Sequence, residues 1–285
     1  MSEATKAKEM DMLNGKLAGK LILFAIPLAF SSILQQLFNS ADVAVVGRFA
    51  GSNALAAVGS CVALVGIFVN LIVGLAVGPN AALANLIGQN KREKISGMLH
   101  TILTFGAVLG IVLMGVGMLT ARTVLEASGT PKSVMADALL YIRIYFLGLP
   151  FMVIYNFGAA ILRSYGDTRR PLYYLIISGT LNVILNLLLV IEFHLGVAGV
   201  AIATTISNMV STVMFHKMRI EWKDLKRVLM IGIPAGIQGA IFSVSNVFIQ
   251  SGINSFGEDA IAGSSLALNF EYFTYDIANA FAQAA

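Results

Sequence analysis

Eight runs of about 20 or more mostly apolar residues, each long enough to cross a hydrocarbon layer, leave few folds open to this chain. They fall near 21–46, 54–87, 95–120, 136–162, 172–191, 197–215, 228–253 and 260–285. Hydrocarbon offers no partner to an unpaired backbone N–H or C=O, so a spanning segment is either a helix or a strand of a closed barrel. A barrel would show alternating segments of about 10 residues, and no such alternation is present. The fold class is therefore all-α integral membrane. A composition of 57% hydrophobic against 12% charged residues agrees with it and lies far from that of a soluble globular domain.

Charge sets the orientation. The first 20 residues are polar and carry Lys6, Lys8, Lys16 and Lys20, with no small-residue cleavage site after a short apolar region, so the first span reads as a retained anchor. With the N-terminus in the cytoplasm, one face holds those four lysines, Lys91, Arg92, Lys94, Arg163, Arg169, Arg170, Lys217, Arg219, Lys223, Lys226 and Arg227. Only Arg48, Arg122, Lys132 and Arg143 are left for the outer face or the span ends. That bias follows the positive-inside rule and suggests a multi-pass protein of a bacterial inner membrane. The net charge of +4 is thus topological, and basic residues dispersed between spans argue against a nucleic-acid partner. The single cysteine, Cys61, lies within an apolar run and reads as a small packed residue rather than a metal ligand.

The chain repeats itself. ILFAIPLAFSSILQQLFNSADVAVVGRFAGSNALA in the first span aligns with LMIGIPAGIQGAIFSVSNVFIQSGINSFGEDAIA in the seventh at an offset of 207 residues, placing Pro27 on Pro234 and Asn39 on Asn246. Repeats six spans apart begin on the same side, so the lobes are parallel copies related by an axis along the membrane normal. The expected division is a cytoplasmic segment (1–20), a complete first lobe of six helices (21–217), a cytoplasmic linker (218–227) and the first two helices of a second lobe (228–285). The last residues read as mid-helix, so twelve helices are expected of the whole protein.

An ionisable group inside a span costs roughly 2.5–3.5 kcal/mol and asks for a role or a partner. Asp42 lies in SADVAVVG with no Lys or Arg within one helical turn. Either it is wetted near the outer end, or it faces the bundle interior and binds a cation or a proton. Asn182 and Asn186 are four residues apart in TLNVILN and share a helical face, which suits either interhelical hydrogen bonding or coordination. Thr204 in AIATTIS could add a hydroxyl or bond its own helix. Carboxylate, amides and hydroxyl form an all-oxygen set suited to sodium, while the lone carboxylate also suits a proton. No cofactor or resident metal is expected.

Gln35, Gln36 and Asn39 form a polar stripe before Asp42, and Pro27 removes a backbone hydrogen bond lower in the same span. Gly74, Gly78 and Pro79 in the second span mark either a gating hinge or close glycine-mediated packing. Glu192, His194, His100 and His216 read as wetted span ends, whereas Glu271 and Asp276 are candidates for a second-lobe cavity.

Taken with GQNKREK after the second span, LRSYGDTRRP after the fourth, LGVAGVAIATTIS in the sixth and GIPAGIQ opening the seventh, the chain resembles the multidrug and toxic compound extrusion (MATE) family over essentially its entire length. The resemblance implies a twelve-helix, two-lobe, V-shaped antiporter, not an enzyme, that exports small organic compounds, often cationic, by alternating access driven by sodium or protons. A monomer surrounded by lipid is expected. It further implies cation binding or coupling at Asp42, Asn182 and Thr204, to which Asn186 is added by the helical face it shares with Asn182, and a substrate cavity at Gln35 and Asn156, with Phe38 and Asn39 of the first span also expected to line it. Hinges are expected at Pro27, Gly78, Pro79 and Pro234.

Two departures matter. Asn186 stands where many members carry a second acid, and the seventh span has no acid, which leans towards a DinF-like arrangement with coupling in the first lobe. The main alternative, a lipid-linked oligosaccharide flippase of the same superfamily, would need several Arg or Lys lining its cavity, and the first-lobe spans hold few. An intramembrane enzyme would need a nucleophile coupled to a base, and no spacing supplies one.

Overall fold

The computed structural model describes residues 17–213 and 222–254, together with 271, 274, 275 and 278. Among the described residues every regular element is a helix. α1 (Leu17–Val45) continues into a π turn (Val46–Ala50), and α2 (Ser52–Gly88) and α3 (Arg92–Ala127) follow. Next come α4 (Met135–Leu147), α5 (Leu149–Ser164), α6 (Arg169–Leu187) with its own π turn (Leu188–Glu192), α7 (Gly196–Val213) and α8 (Trp222–Asn254).

The polar connections stop these helices in a recognisable way. After α2 the N–H of Asn90 bonds Ile87 O and that of Lys91 bonds Leu86 O, with Asn90 in the left-handed region at φ 54°. After α5 the N–H groups of Gly166 and Asp167 bond Arg163 O and Leu162 O, with Gly166 at φ 81°. Both are Schellman closures, which need a residue that tolerates positive φ. Asp167 then opens α6: its Oδ1 accepts from the backbone N–H of Arg169 and Arg170 at 3.1 Å each, and its carboxylate pairs with the Arg170 guanidinium at 2.8 Å. The helix that carries both asparagines therefore has a fixed starting point.

Five described helices are long and apolar enough to cross a membrane, and α7 is a shorter apolar helix. The expected fourth span, 136–162, is not one straight helix but two, α4 and α5, bent by 45° at Gly148 and together long and apolar enough to cross. Pro150 has no N–H to give the preceding turn, and its ring favours the start of a new helix. α1, α2 and α8, by contrast, run on as single helices through Pro27, Pro79 and Pro234. The eighth expected span falls almost wholly outside the described residues.

The core lies where α2, α3, α4 and α5 meet. Ile72, Leu83, Met98, Ile102, Phe146 and Phe157 are fully buried there. Three glycines of α3 act as seats: a Cβ on Gly106, Gly110 or Gly117 would strike Phe157, Pro150 or Phe146 respectively. Large apolar side chains such as Ile111, Leu119 and Phe248 point outwards and are more than half exposed, as expected of a surface facing hydrocarbon. Cys61 is buried and donates its Sγ hydrogen to Ala138 O at 3.4 Å, the packed role expected of it.

Candidate functional site

α1 and α6 run parallel and close together because Gly179 presents bare backbone to the ring of Phe38, which leaves no room there for a Cβ. One turn after Phe38 comes Asp42, and about two turns after Gly179 comes Asn186, so the same approach brings the carboxylate to the amide. α7 packs against α6 and supplies Thr204, which lies beside both Asn182 and Asp42.

The four side chains close into a ring. Asn186 Nδ2 donates to Asp42 Oδ1 and also to Asn182 Oδ1, the latter at 3.3 Å. Asn182 Nδ2 donates to Thr204 Oγ1 at 3.3 Å. Thr204 Oγ1 lies 3.5 Å from Asp42 Oδ2 and 3.0 Å from Val200 O. A hydroxyl carries one proton, so Thr204 serves either the carboxylate or its own helix at any moment. Asn182 is 6% exposed and Asn186 is fully buried, whereas Asp42 is half-buried.

Among the described residues the side-chain ion pairs are Arg122 with Glu126 and Arg170 with Asp167, so no cation balances Asp42. A charge within a span costs about 2.5–3.5 kcal/mol. Hydrogen bonds to charged groups contribute about 1.5–3 kcal/mol each. Asn186 donates to the carboxylate and the Thr204 hydroxyl stands at the edge of hydrogen-bond range, so the site offers Asp42 donors but no opposite charge. One atom is left over: Asn186 Oδ1 is buried and has no hydrogen-bond partner. Such an atom is costly unless something donates to it or coordinates it.

The remaining expected residues do not join the ring. Gln35 and Asn39 are exposed, Phe38 is half-buried against Gly179, and Asn156 donates back to Met152 O of its own helix at 2.9 Å. Gly78 packs against α8, where a Cβ would lie 2.8 Å from Gly232 N. Glu192, His194 and Glu271 are exposed, while His216 and Asp276 lie outside the described residues. Sequence reasoning missed Tyr141 and Tyr145 of α4, whose rings stack on one another with centroids 6.2 Å apart. It gave no role of its own to Thr205, the neighbour of Thr204, which donates to Ile144 O at 3.1 Å. The available signal was Gly148-Leu149-Pro150, which foretells a break and hence a carbonyl in need of a donor.

A sequence model of the MatE family matches residues 27–188. A probable multidrug resistance protein of Bacillus subtilis, YoeA, is 30% identical over 84% of this chain and 57% of its own length. A probable multidrug resistance protein NorM of Thermotoga maritima is 23% identical over 90% of this chain and 59% of its own. Among solved structures, a MOP superfamily transporter from Pyrococcus furiosus superposes with a TM-score of 0.87 at 24% identity, covering 96% of this chain and 64% of that one. The chain thus spans under two thirds of the length of the relatives it matches.

Proposed function

The chain belongs to the MatE family, and we propose that it works as a cation-coupled antiporter that exports organic, often cationic, compounds by alternating access, with Asp42 as the coupling carboxylate. It is an integral membrane protein; the orientation we propose places the N-terminus in the cytoplasm of a bacterium, at the inner membrane. The observation that carries the reading is the closed ring of Asp42, Asn186, Asn182 and Thr204, which surrounds one acid with groups able to serve it in two states.

In the charged state Asp42 accepts from Asn186 Nδ2 and the Thr204 hydroxyl. When a proton or a sodium ion neutralises it, the same site has to offer oxygen rather than N–H. Turning the Asn186 amide over exchanges Nδ2 for the partnerless Oδ1, and rotating the Thr204 hydroxyl onto Val200 O frees its lone pairs. A sodium ion would draw on the Asp42 carboxylate, the Asn182 and Asn186 carbonyl oxygens and Thr204, an oxygen set that suits a hard cation. If substrate favours one arrangement and cation the other, each must weaken the other's binding by the same factor.

Reconstitution of the intact protein under separate sodium and proton gradients tests this and identifies the ion. Asp42→Asn is expected to reduce export to background while leaving insertion and yield unchanged. Export undiminished in that variant would remove Asp42 from the mechanism.

A further inference from the structure

We propose that Thr205 is a positioning residue that links the state of the Asp42 ring to the break in the fourth span, a step that rests on Asp42 being the coupling carboxylate. The break leaves a carbonyl in need of a donor. In a continuous helix the N–H of Gly148 would bond Ile144 O, but here it bonds Tyr145 O at 2.9 Å. Pro150 has no N–H to offer Phe146. The Thr205 hydroxyl of α7 supplies the donor to Ile144 O, at 3.1 Å.

Its neighbour in sequence, Thr204, belongs to the ring and has two competing acceptors, Val200 O at 3.0 Å and Asp42 Oδ2 at 3.5 Å. Two consecutive hydroxyls of α7 therefore serve the carboxylate and the break. There is little slack between α7 and the break: a Cβ built on Gly148 would lie 3.2 Å from Thr205 Oγ1 and 3.3 Å from Thr205 Cα. On its far side the break is seated on Gly110, where Pro150 already fills the space that a Cβ would need. A shift of α7 that carries Thr204 towards charged Asp42 also displaces Thr205 relative to Ile144 O and Gly148, because one backbone carries both. Asn182, Asn186 and Thr204, the groups of the ring that hold Asp42, do not titrate, and of the tyrosines on α4 just before the break Tyr141 is buried and Tyr145 half-buried. Neutralising the carboxylate withdraws the pull on Thr204, and the cap on Ile144 O and the bend at Gly148 readjust with it.

The test is amide hydrogen exchange across 144–152 in the intact protein in lipid nanodiscs, with sodium against N-methylglucamine and at low against high pH. Native protein and Thr205→Ser, which keeps the hydroxyl, are expected to show a several-fold change in exchange at the break when Asp42 is neutralised. Thr205→Val, nearly the same shape without the donor, is expected to lose that change while its melting temperature still rises with the coupling ion. Gly148→Ala, which crowds Thr205 without altering it, is expected to blunt the change, and it carries the test if the valine variant does not fold. A native-sized response in Thr205→Val or, where that variant does not fold, in Gly148→Ala overturns the link. A response that persists in Asp42→Asn overturns the role of the carboxylate as well, so the two failures are distinguishable.

Discussion

The seam between α2 and α8 and the ring between α1, α6 and α7 join helices by opposite means. In the seam Gly74 and Gly78 lie directly against the backbone of α8 at Ala235 and Gly232, and Gly232 and Gly239 leave under 3 Å for a Cβ before Leu75 O and Asn70 O. Such backbone contact is what small residues allow in a membrane, where no hydrophobic drive pulls helices together. It has essentially one arrangement, because any side chain or rotation would collide. The ring has a single glycine seat, Gly179, and beyond it only polar groups whose donors and acceptors can be exchanged. Close packing fixes a pair of helices; ambidentate side chains give it alternatives. A coupled transporter needs both kinds of contact, one to carry motion as a rigid unit and one to change state.

The largest effect that separates the two is expected at the seam. Gly78→Leu would place a branched side chain into the backbone of Val228 and Gly232, which cannot rotate away. Overpacking ordinarily costs about 1–3 kcal/mol, and a backbone obstacle should bring the cost to the upper end. The expected outcome is a marked loss of folded protein on size-exclusion chromatography and a lowered melting temperature in detergent. Whatever remains folded should keep the native dependence on the coupling ion. A well-folded variant with altered ion dependence would show instead that the seam is part of the switch.

Asn186→Asp probes the ring with a smaller change. It places a second carboxylate at a fully buried position, already beside Asp42. Without a cation the two charges repel and the melting temperature should drop below native. Added sodium should recover it, because a ligand that binds the folded state stabilises it by RT ln(1 + [L]/Kd). A sodium-induced rise several times that of the native protein is expected in a thermal-shift series. An unchanged sodium response would mean that the ring handles protons alone.

How much of this could be read beforehand depended on whether the physical cause was local. The spans were legible because length and apolarity alone decide them. Asp42 stood out because a charge in hydrocarbon is expensive, and Asn182 and Asn186 because four residues bring them onto one face. The bend at Gly148 is hidden in the sequence because 136–162 is mostly apolar and long enough for one crossing, and Pro150 alone marks a break that other prolines of the chain do not make. At Gly78 a hinge and close packing were equally open from sequence, and its position on Gly232 shows packing. Thr205 was out of reach, since its acceptor, Ile144 O, is released only when the fourth span bends. The ring as a closed circuit likewise required knowing that α7 returns beside α6 with Thr204 level with Asn182.

The smallest expected effect lies in a polar contact of the seam. Asn70 Nδ2 donates to Ser243 Oγ at 2.7 Å, and that hydroxyl has Gly66 O and Gly239 O as acceptors, both at 3.3 Å, on the two helices it joins. It superficially resembles Thr204, a hydroxyl with two choices, and so tests whether such a group by itself makes a switch. The surroundings differ, because among the described residues the partners of Ser243 are Asn70 and two backbone carbonyls, none of them ionisable, and the glycines around it bring the backbones close together. Interhelical hydrogen bonds in membranes average about 0.6 kcal/mol, so Ser243→Ala should lower the melting temperature only slightly. Export and its ion dependence should match native in the reconstituted assay. Thr204→Val, treated in parallel, should lower the melting temperature more, because it also takes the acceptor from Asn182 Nδ2, and should weaken the ion dependence, since only there does the hydroxyl's second acceptor carry a charge that comes and goes. Equal effects of the two substitutions on ion dependence would erase the distinction between a fixed seam and a switchable ring.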